Sequence, residues 1–431
     1  MNIIQATNLR PRPPGSGIGP GSRPSTSKRW SQSRPRALPG FEFTSGKIVF
    51  GRNAFEKVPS LVQGYQQQLE EDCGVFIVCG SADRLSRPLA GALGSAGVDN
   101  IKVFHVAKEP TVELVQEATR EAKGCGVVVA VGGGAAIDTA KAVSVMLTNG
   151  GADPDPLDFL EVVGRGLPIE KPGVPFIACP STAGVGSEVT KNAVLGAGPQ
   201  KVSMRSPFLV PSVAVVDPVL TVSCPKTTTA YTGLDALVQC IEPYCTHLAT
   251  PLSDLYARQG IVYGARSLRL AFDEPQNLDA REDMSLCGLF SGVALANSKL
   301  GSVHGFAGVL GGMFPTAPHG AVCGRLLPPC WKSNYEACQS EGSEQSSKAL
   351  KRMEEVASLL LDRQNASVEE AHAWMRSLVE HLQVPGLRSW GMGEKDIPMA
   401  VEKSAGSSSM QGNPVKLSHG VLADILAEAL D

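Results

Sequence analysis

The sequence predicts an α/β amino-terminal domain with a mostly parallel, Rossmann-like sheet, joined to an all-α carboxyl-terminal domain. Three observations carry this reading. Short β-branched runs alternate with helical segments between residues 41 and 219. Strand signals then stop, and residues 220–431 hold only helical patterns punctuated by Pro, Gly and Ser. The composition, 43% hydrophobic and 19% charged over 431 residues, is enough to bury a sizeable core.

The first forty residues are set apart. They hold six Arg, one Lys, six Ser and seven Pro, and the first acid is Glu42. An Arg- and Ser-rich, acid-free start reads as a transit segment for mitochondrion or plastid. The plainer alternative is a disordered tail or an over-extended gene start, with a cytoplasmic protein behind it. The proline content opposes the amphipathic helix usual in mitochondrial presequences. Folding is expected to begin near residue 41.

The α/β elements follow in order. Residues 75–79 (VFIVC) form a short apolar strand, ending in Gly80 and Ser81 and followed by a helix over 85–96. A strand at 101–106 precedes a helix at 112–122. The run 127–131 (VVVAV) is a buried strand that ends in three glycines and leads into a helix over 137–146. Strands at 174–178 and 213–216 complete the set. Beyond residue 220, helices are expected over 227–241, 251–271, 280–300, 345–361, 368–382, 397–405 and 420–429. Ligands on parallel sheets sit at the carboxyl ends of the strands, so the cleft between the two domains is the expected site.

Several function classes are excluded early. A net charge of −3, from 39 basic and 42 acidic residues, rules out a globally basic nucleic-acid binder. No apolar run reaches the ~18 residues of a membrane span. Eleven cysteines, an odd number with no CxxC pair, point to a reduced compartment rather than a disulfide framework.

Chemistry enters with VVVAVGGGAAIDTAK, residues 127–141. Gly132, Gly133 and Gly134 lie between strand and helix, where a backbone without Cβ atoms can approach a pyrophosphate and the helix end offers free N–H groups. The motif is neither GxGxxG nor a Walker A loop, and most such turns only close a strand–helix packing. A second loop, CPSTAGVGSEVTKNAV (179–194), brings Ser181 and Thr182 hydroxyls between small residues. A polar loop ahead of an irregular hairpin is its structural explanation. Two such loops on one sheet are less easily dismissed as packing alone.

The helical domain supplies a ligand set. Asp235 and Gln239 are spaced i, i+4 on one helix face. His304 and His319 fall in Gly-rich, otherwise apolar segments. Asp, two His and a polar fourth residue can hold a divalent transition metal, although a single histidine in such a setting is more often a hydrogen-bonded core residue.

The glycine turn, STAGVGSEVT, LDALVQCIEPY and VHGFAGVLGGMFPTAPHG stand in the order found in iron-dependent (group III) alcohol dehydrogenases. The chain resembles that family along nearly its whole folded length. FEFTSGKIVFG is similar to its opening strand and SSSMQGNPVKLSHGVLADILAEAL to its closing helix. Glycerol dehydrogenases, maleylacetate reductases, hydroxyacid–oxoacid transhydrogenases and dehydroquinate synthases share the superfamily. The resemblance implies that Gly132, Gly133 and Gly134 form the pyrophosphate turn, with Asp138 and Lys141 as its acid and base. It implies Ser181 and Thr182 beside the cofactor phosphates, Lys201 toward the ribose, and Asp235, His304 and His319 as metal ligands.

Four departures qualify it. Gln239 stands where the family usually has His, and an amide oxygen is a weaker ligand than imidazole. Gly308 replaces a second His four residues after His304, which removes a proton relay. Ala135 replaces a Ser of the glycine turn. Gly80, followed by Ser81, stands where NAD-preferring members often carry Asp, so NADP is not excluded.

The implied activity is NAD(P)-dependent alcohol oxidation or aldehyde reduction. Hydride passes at a carbon whose oxygen is polarised by Fe2+ or Zn2+, and His304 and His319 are the catalytic ligands. The expected partners are a small alcohol or aldehyde and further copies of the chain in a homo-oligomer, with no nucleic acid and no membrane. A hydroxyacid–oxoacid transhydrogenase, a metal-independent reductase like the maleylacetate reductases, and a non-catalytic NAD(P)-binding protein remain as alternatives.

Overall fold

Alternate residues of the central strands face opposite ways, and both faces are apolar. Val75, Ile77, Val127, Val129 and Ile177 enter one core, whereas Phe76, Val78, Val128, Ala130 and Ala178 enter another. Strands buried on both faces belong in a parallel sheet covered by helices. Each fully buried valine contributes about 1.5–3 kcal/mol relative to exposure.

The computed structural model describes residues 45–431 except 70–72, 82, 152–154, 162 and 199. The expected transit segment therefore lies outside the described residues. The elements are β1 (Lys47–Phe50), α1 (Val58–Leu69), β2 (Gly74–Gly80), α2 (Ser86–Ser95), β3 (Ile101–Val106) and α3 (Val112–Glu121). Then come β4 (Cys125–Gly132), α4 (Gly134–Asn149), β5 (Phe176–Pro180), β6 (Asn192–Ala197), β7 (Gln200–Arg205) and β8 (Val213–Val216). Six strands form one sheet in the order β1-β8-β5-β4-β2-β3, and β6 and β7 form a separate two-stranded sheet. All pairings in the large sheet are parallel, while β6 and β7 run antiparallel.

The order reverses between β2 and β4. The chain leaves β2 toward β3 through α2, whose Leu89 and Leu93 pack in one core. It leaves β4 toward β5 through α4, whose Ile137 and Val143 pack in the other. Helices on opposite faces open a crevice above the carboxyl ends of β2 and β4, the ligand position of open α/β sheets.

The remaining described elements are helices: α5 (Lys226–Cys245), α6 (Pro251–Asp273), α7 (Leu278–Ala296), α8 (Ser302–Met313), α9 (His319–Glu341), α10 (Glu344–Leu360), α11 (Val368–His381), α12 (Ile397–Ala405) and α13 (His419–Glu428), with short 3-10 turns among them. The sheet-bearing and helical halves pack in one compact unit. No described helix is long and apolar enough to cross a membrane.

Three differences from the sequence expectation concern local signals. The strand expected at 174–178 is Phe176–Pro180, because Pro175 only precedes the ladder that Val128 opens by donating to its carbonyl. The helix expected to run to residue 300 ends at Ala296. The glycine-rich segments holding His304 and His319 are helices, α8 and α9. Gly, at about 1 kcal/mol each in a helix interior, argues against α8 locally. Burial overrides it: Val303, Phe306 and Leu310 sit in the helical core, and a Cβ on Gly305 would lie 3.2 Å from the Met410 backbone nitrogen. α9 continues through Pro328 and Pro329.

Candidate active site

Three adjacent strands, β5, β4 and β2, end together. Their turns are Pro180 with Ser181, the three glycines 132–134, and Gly80 with Ser81. The Ser181 amide donates to the Gly132 carbonyl at 2.8 Å, which ties the first two turns together. At Gly132 a Cβ would meet the Ala136 Cβ at 2.7 Å, so this glycine is fixed by packing. At Gly133 a Cβ would meet only the Thr182 side chain at 3.5 Å, and at Gly80 nothing within 4 Å. That side of the crest is open. Gly133 caps α4 without a side chain, so the first N–H groups of the helix and its positive end are left for a ligand.

Asp138 and Lys141 are engaged by the protein itself. The Asp138 carboxylate accepts from Ser187 Oγ and, at 3.0 Å, from the Val194 amide, so both oxygens are taken by the protein. Lys141 is wholly buried and donates to Ser187 Oγ at 3.1 Å, Thr190 Oγ1 at 2.9 Å and the Asn192 carbonyl at 2.7 Å. The two residues fasten the 181–190 loop and the β6–β7 hairpin to α4. Burial lowers the Lys141 pKa to about 8, with Asp138 and Glu188 opposing. Lys201 lies on β7 of the separate hairpin, its Nζ 3.4 Å from Glu109.

The 181–190 loop joins the crest to the helical half. A Cβ on Gly184 would lie 2.7 Å from the Thr232 Cβ of α5. Gly186 has φ 63°, and a Cβ there would lie 2.5 Å from Gly292 Cα of α7. Gln239 Nε2 donates to the Val185 carbonyl at 2.8 Å and to Ser291 Oγ at 3.2 Å, and Ser291 Oγ donates to the Gly184 carbonyl at 3.1 Å. A carbonyl only accepts, so the Gln239 nitrogen must face the loop.

One turn up α5, Asp235 meets His304 of α8 and His319 of α9. Asp235 Oδ1 lies 3.1 Å from His304 Nε2 and 3.9 Å from His319 Nε2. Cys323, four residues after His319 on the same helix face, completes the group. One donor atom from each of Asp235, His304, His319 and Cys323 lies within 4.8 Å of the others. It is the one such group of three or more His, Cys, Asp or Glu among the described residues. Asp235 and His304 are buried, and the His319 side chain is 40% exposed, which marks the open side of the cluster.

Behind the cluster, Glu242 accepts from His304 Nδ1 at 2.7 Å and from the Val303 amide at 2.7 Å. Asn413 Oδ1 accepts from the Ser302 amide at 3.0 Å. Together these two side chains cap α8, whose own N-cap is Gly301. The charges reinforce one another. Burial opposes an ionised Asp235, but His319 and His304 hold its pKa below the usual carboxylate value. Burial also opposes a charged His304, yet Cys323, Asp235 and Glu242 push its pKa well above the imidazole range. Cys323 is the largest influence raising His319 to about 9, against burial. The pocket attracts positive charge, as a cation site must.

An open glycine crest held by one loop against a His/Asp/Cys cluster is an arrangement that suits a dehydrogenase. The chain belongs to the iron-containing alcohol dehydrogenase family. The family model "Iron-containing alcohol dehydrogenase" matches residues 45–218, and "Fe-containing alcohol dehydrogenase family, C-terminal" matches residues 229–430. The chain is 32% identical over 358 residues to a choline dehydrogenase of Bacillus subtilis, covering 81% of this chain and 84% of the relative. It is 32% identical over 392 residues to a 1,3-propanediol dehydrogenase of Klebsiella pneumoniae, covering 88% and 96%. The structure of a sulfoacetaldehyde reductase from Bifidobacterium kashiwanohense in complex with NAD+ superposes with a TM-score of 0.75 at 26% identity, covering 91% of this chain and 99% of that one. The chain is thus an oxidoreductase of the alcohol dehydrogenase class, with the fold that the sequence predicts.

Sequence reasoning missed two residues of the site. Cys323 repeats after His319 the i, i+4 spacing already noticed between Asp235 and Gln239. Glu242 lies seven residues after Asp235, two turns along the same face, inside a segment already singled out.

Proposed function

We propose that the protein interconverts a small alcohol and its aldehyde or ketone, using NAD or NADP and one divalent metal held by Asp235, His304 and His319. The observation that carries this reading is the 181–190 loop. It touches the glycine crest through Thr182 and is clamped through Val185 to Gln239, one turn from Asp235. The loop thus joins the turn that would hold a dinucleotide to the helix that would hold the metal.

The donor set fits a divalent ion: two imidazoles and a buried carboxylate, beside a thiol, suit Zn2+ or Fe2+. When bound, the dinucleotide would supply hydride and the ion would polarise the substrate oxygen. The protein's own residues supply orientation. Glu242 takes the Nδ1 proton of His304 as its hydrogen bond and leaves Nε2 facing Asp235. Gly308 stands one turn beyond His304 with nothing within 4 Å of its Cβ position, which leaves room for substrate on that side. Gly80 and Ser81 offer no carboxylate to repel a 2′-phosphate, so both dinucleotides are candidates.

The test is a panel of short alcohols, aldehydes and ketones, followed through nicotinamide absorbance before and after chelation. Turnover that is lost on chelation and restored by Zn2+ or Fe2+ is the expected result. Turnover indifferent to metal removal refutes the metal. Nucleotide binding without turnover on any panel member, with either metal, refutes the enzyme.

A further inference from the structure

We infer that Cys323, not Gln239, is the fourth protein ligand of the metal site, which makes it an Asp–His–His–Cys centre. The inference rests on the metal-dependent reading above.

Two observations support it independently. The first is position. Cys323 is fully buried and follows His319 by one helical turn, so both donors leave α9 on one face toward Asp235 and His304. A tetrahedral ion with bonds of ~2.0–2.3 Å has donor–donor edges of roughly 3.3–3.8 Å. The four donor atoms already lie within 4.8 Å of one another, so closing on an ion takes only small side-chain rotations. The second is the commitment of the Gln239 nitrogen. It is held by the Val185 carbonyl and Ser291 Oγ, which are parts of the clamp on the 181–190 loop, so Gln239 could offer an ion only its neutral amide oxygen.

Ligand chemistry agrees. A thiolate is a far stronger ligand for Zn2+ or Fe2+ than a neutral amide oxygen, and it tilts the set toward zinc. The Cys323 thiol gives up its proton to solvent as the S–metal bond forms, so loading releases a proton. The net charge donated by the protein becomes −2, from Asp235 and Cys323, against a 2+ ion.

The experiment uses the full chain, stripped with chelator and titrated with cobalt(II) chloride under anaerobic conditions. The wild type should bind one Co2+ per chain, with tetrahedral d–d bands and a near-ultraviolet thiolate-to-cobalt band. Cys323→Ser should lose the near-ultraviolet band and bind Co2+ at least tenfold more weakly, with an unchanged far-ultraviolet circular dichroism spectrum. Gln239→Ala should keep the band. Stoichiometric Co2+ in the wild type without a thiolate band overturns the inference and leaves the metal-dependent function standing. So does a band that survives Cys323→Ser. Failure of the wild type to bind Co2+ at all overturns both.

Discussion

Glu242 accepts a hydrogen bond from His304 Nδ1 at 2.7 Å, and the same carboxylate caps the helix that carries His304 by accepting from the Val303 amide. One side chain therefore fixes both the tautomer of a candidate ligand and the start of α8. Replacing Glu242 by Gln sets an NH2 group against one of those two donors, whichever way the amide turns. Glu242→Gln should weaken Zn2+ or Co2+ binding by roughly 10–100-fold. The unpaired buried donor should also cost about 1–3 kcal/mol in urea unfolding. Unchanged affinity would show that Glu242 is only a helix cap.

Gly133 and Gly186 separate ligand space from packing space. Gly133 has φ −79°, and its added Cβ meets only Thr182 at 3.5 Å. Gly133→Ala should leave the unfolding midpoint within ~0.5 kcal/mol of the wild type. Its NADH and NADPH affinities should fall by about tenfold or more, because the methyl group occupies the approach of the pyrophosphate. Gly186→Ala, with φ 63° and backbone of α7 at 2.5 Å, should instead destabilise the fold by roughly 2–4 kcal/mol. Unchanged nucleotide affinity in Gly133→Ala would contradict the placement of the ligand over Gly133.

Burial raises the pKa of Glu188, in the bridging loop, to about 7, against the pull of its own backbone amide and Lys141. The folded protein keeps this proton up to pH 7, whereas the unfolded chain releases it near 4.5. Between those values the unfolded state binds fewer protons, so stability falls as pH rises. Lys141, at about 8, stays charged across that window. Wild-type stability should therefore drop by up to ~3 kcal/mol from this group across the window. Glu188→Gln should flatten that slope in urea melts at several pH values. An equal slope in both proteins would show that Glu188 is ionised in the fold.

Gly308 lies inside α8 with open space where a Cβ would go. Gly308→Ala should raise stability by about 0.5–1 kcal/mol through backbone entropy alone. It also narrows the space one turn from His304. The KM for branched substrates should rise while that for short unbranched ones stays put. A uniform change in kcat would argue that position 308 does not border the substrate.

Much of this architecture was legible in the sequence because its signals are local. The run 127–131 and the glycines after it identify a buried parallel strand and its turn without reference to anything distant. Asp235 and His304 read as candidate ligands because they stand in long, ordered motifs, and the fold brings them together. The parts that were not legible depend on contacts across the fold. α8 was obscured by its glycines, since its stability comes from packing and from caps donated by Glu242 and Asn413. Asp138 and Lys141 read as the acid and base of the glycine-turn motif, and their bonds to Ser187, Thr190 and the hairpin emerge only once α4 packs against those segments. Cys323 stands far from Asp235 in sequence and joins it only through the packing of α9 against α5.

One chain is expected to hold a dinucleotide and a divalent metal at a single site. The most direct measurement is the metal content of anaerobically purified protein, with NADH and NADPH binding measured on the same sample and on His304→Ala. Close to one zinc or iron per wild-type chain, metal lost in His304→Ala, and nucleotide bound by both proteins is the predicted result. Nucleotide bound by a wild-type protein that takes up no metal, even after reconstitution, would contradict it.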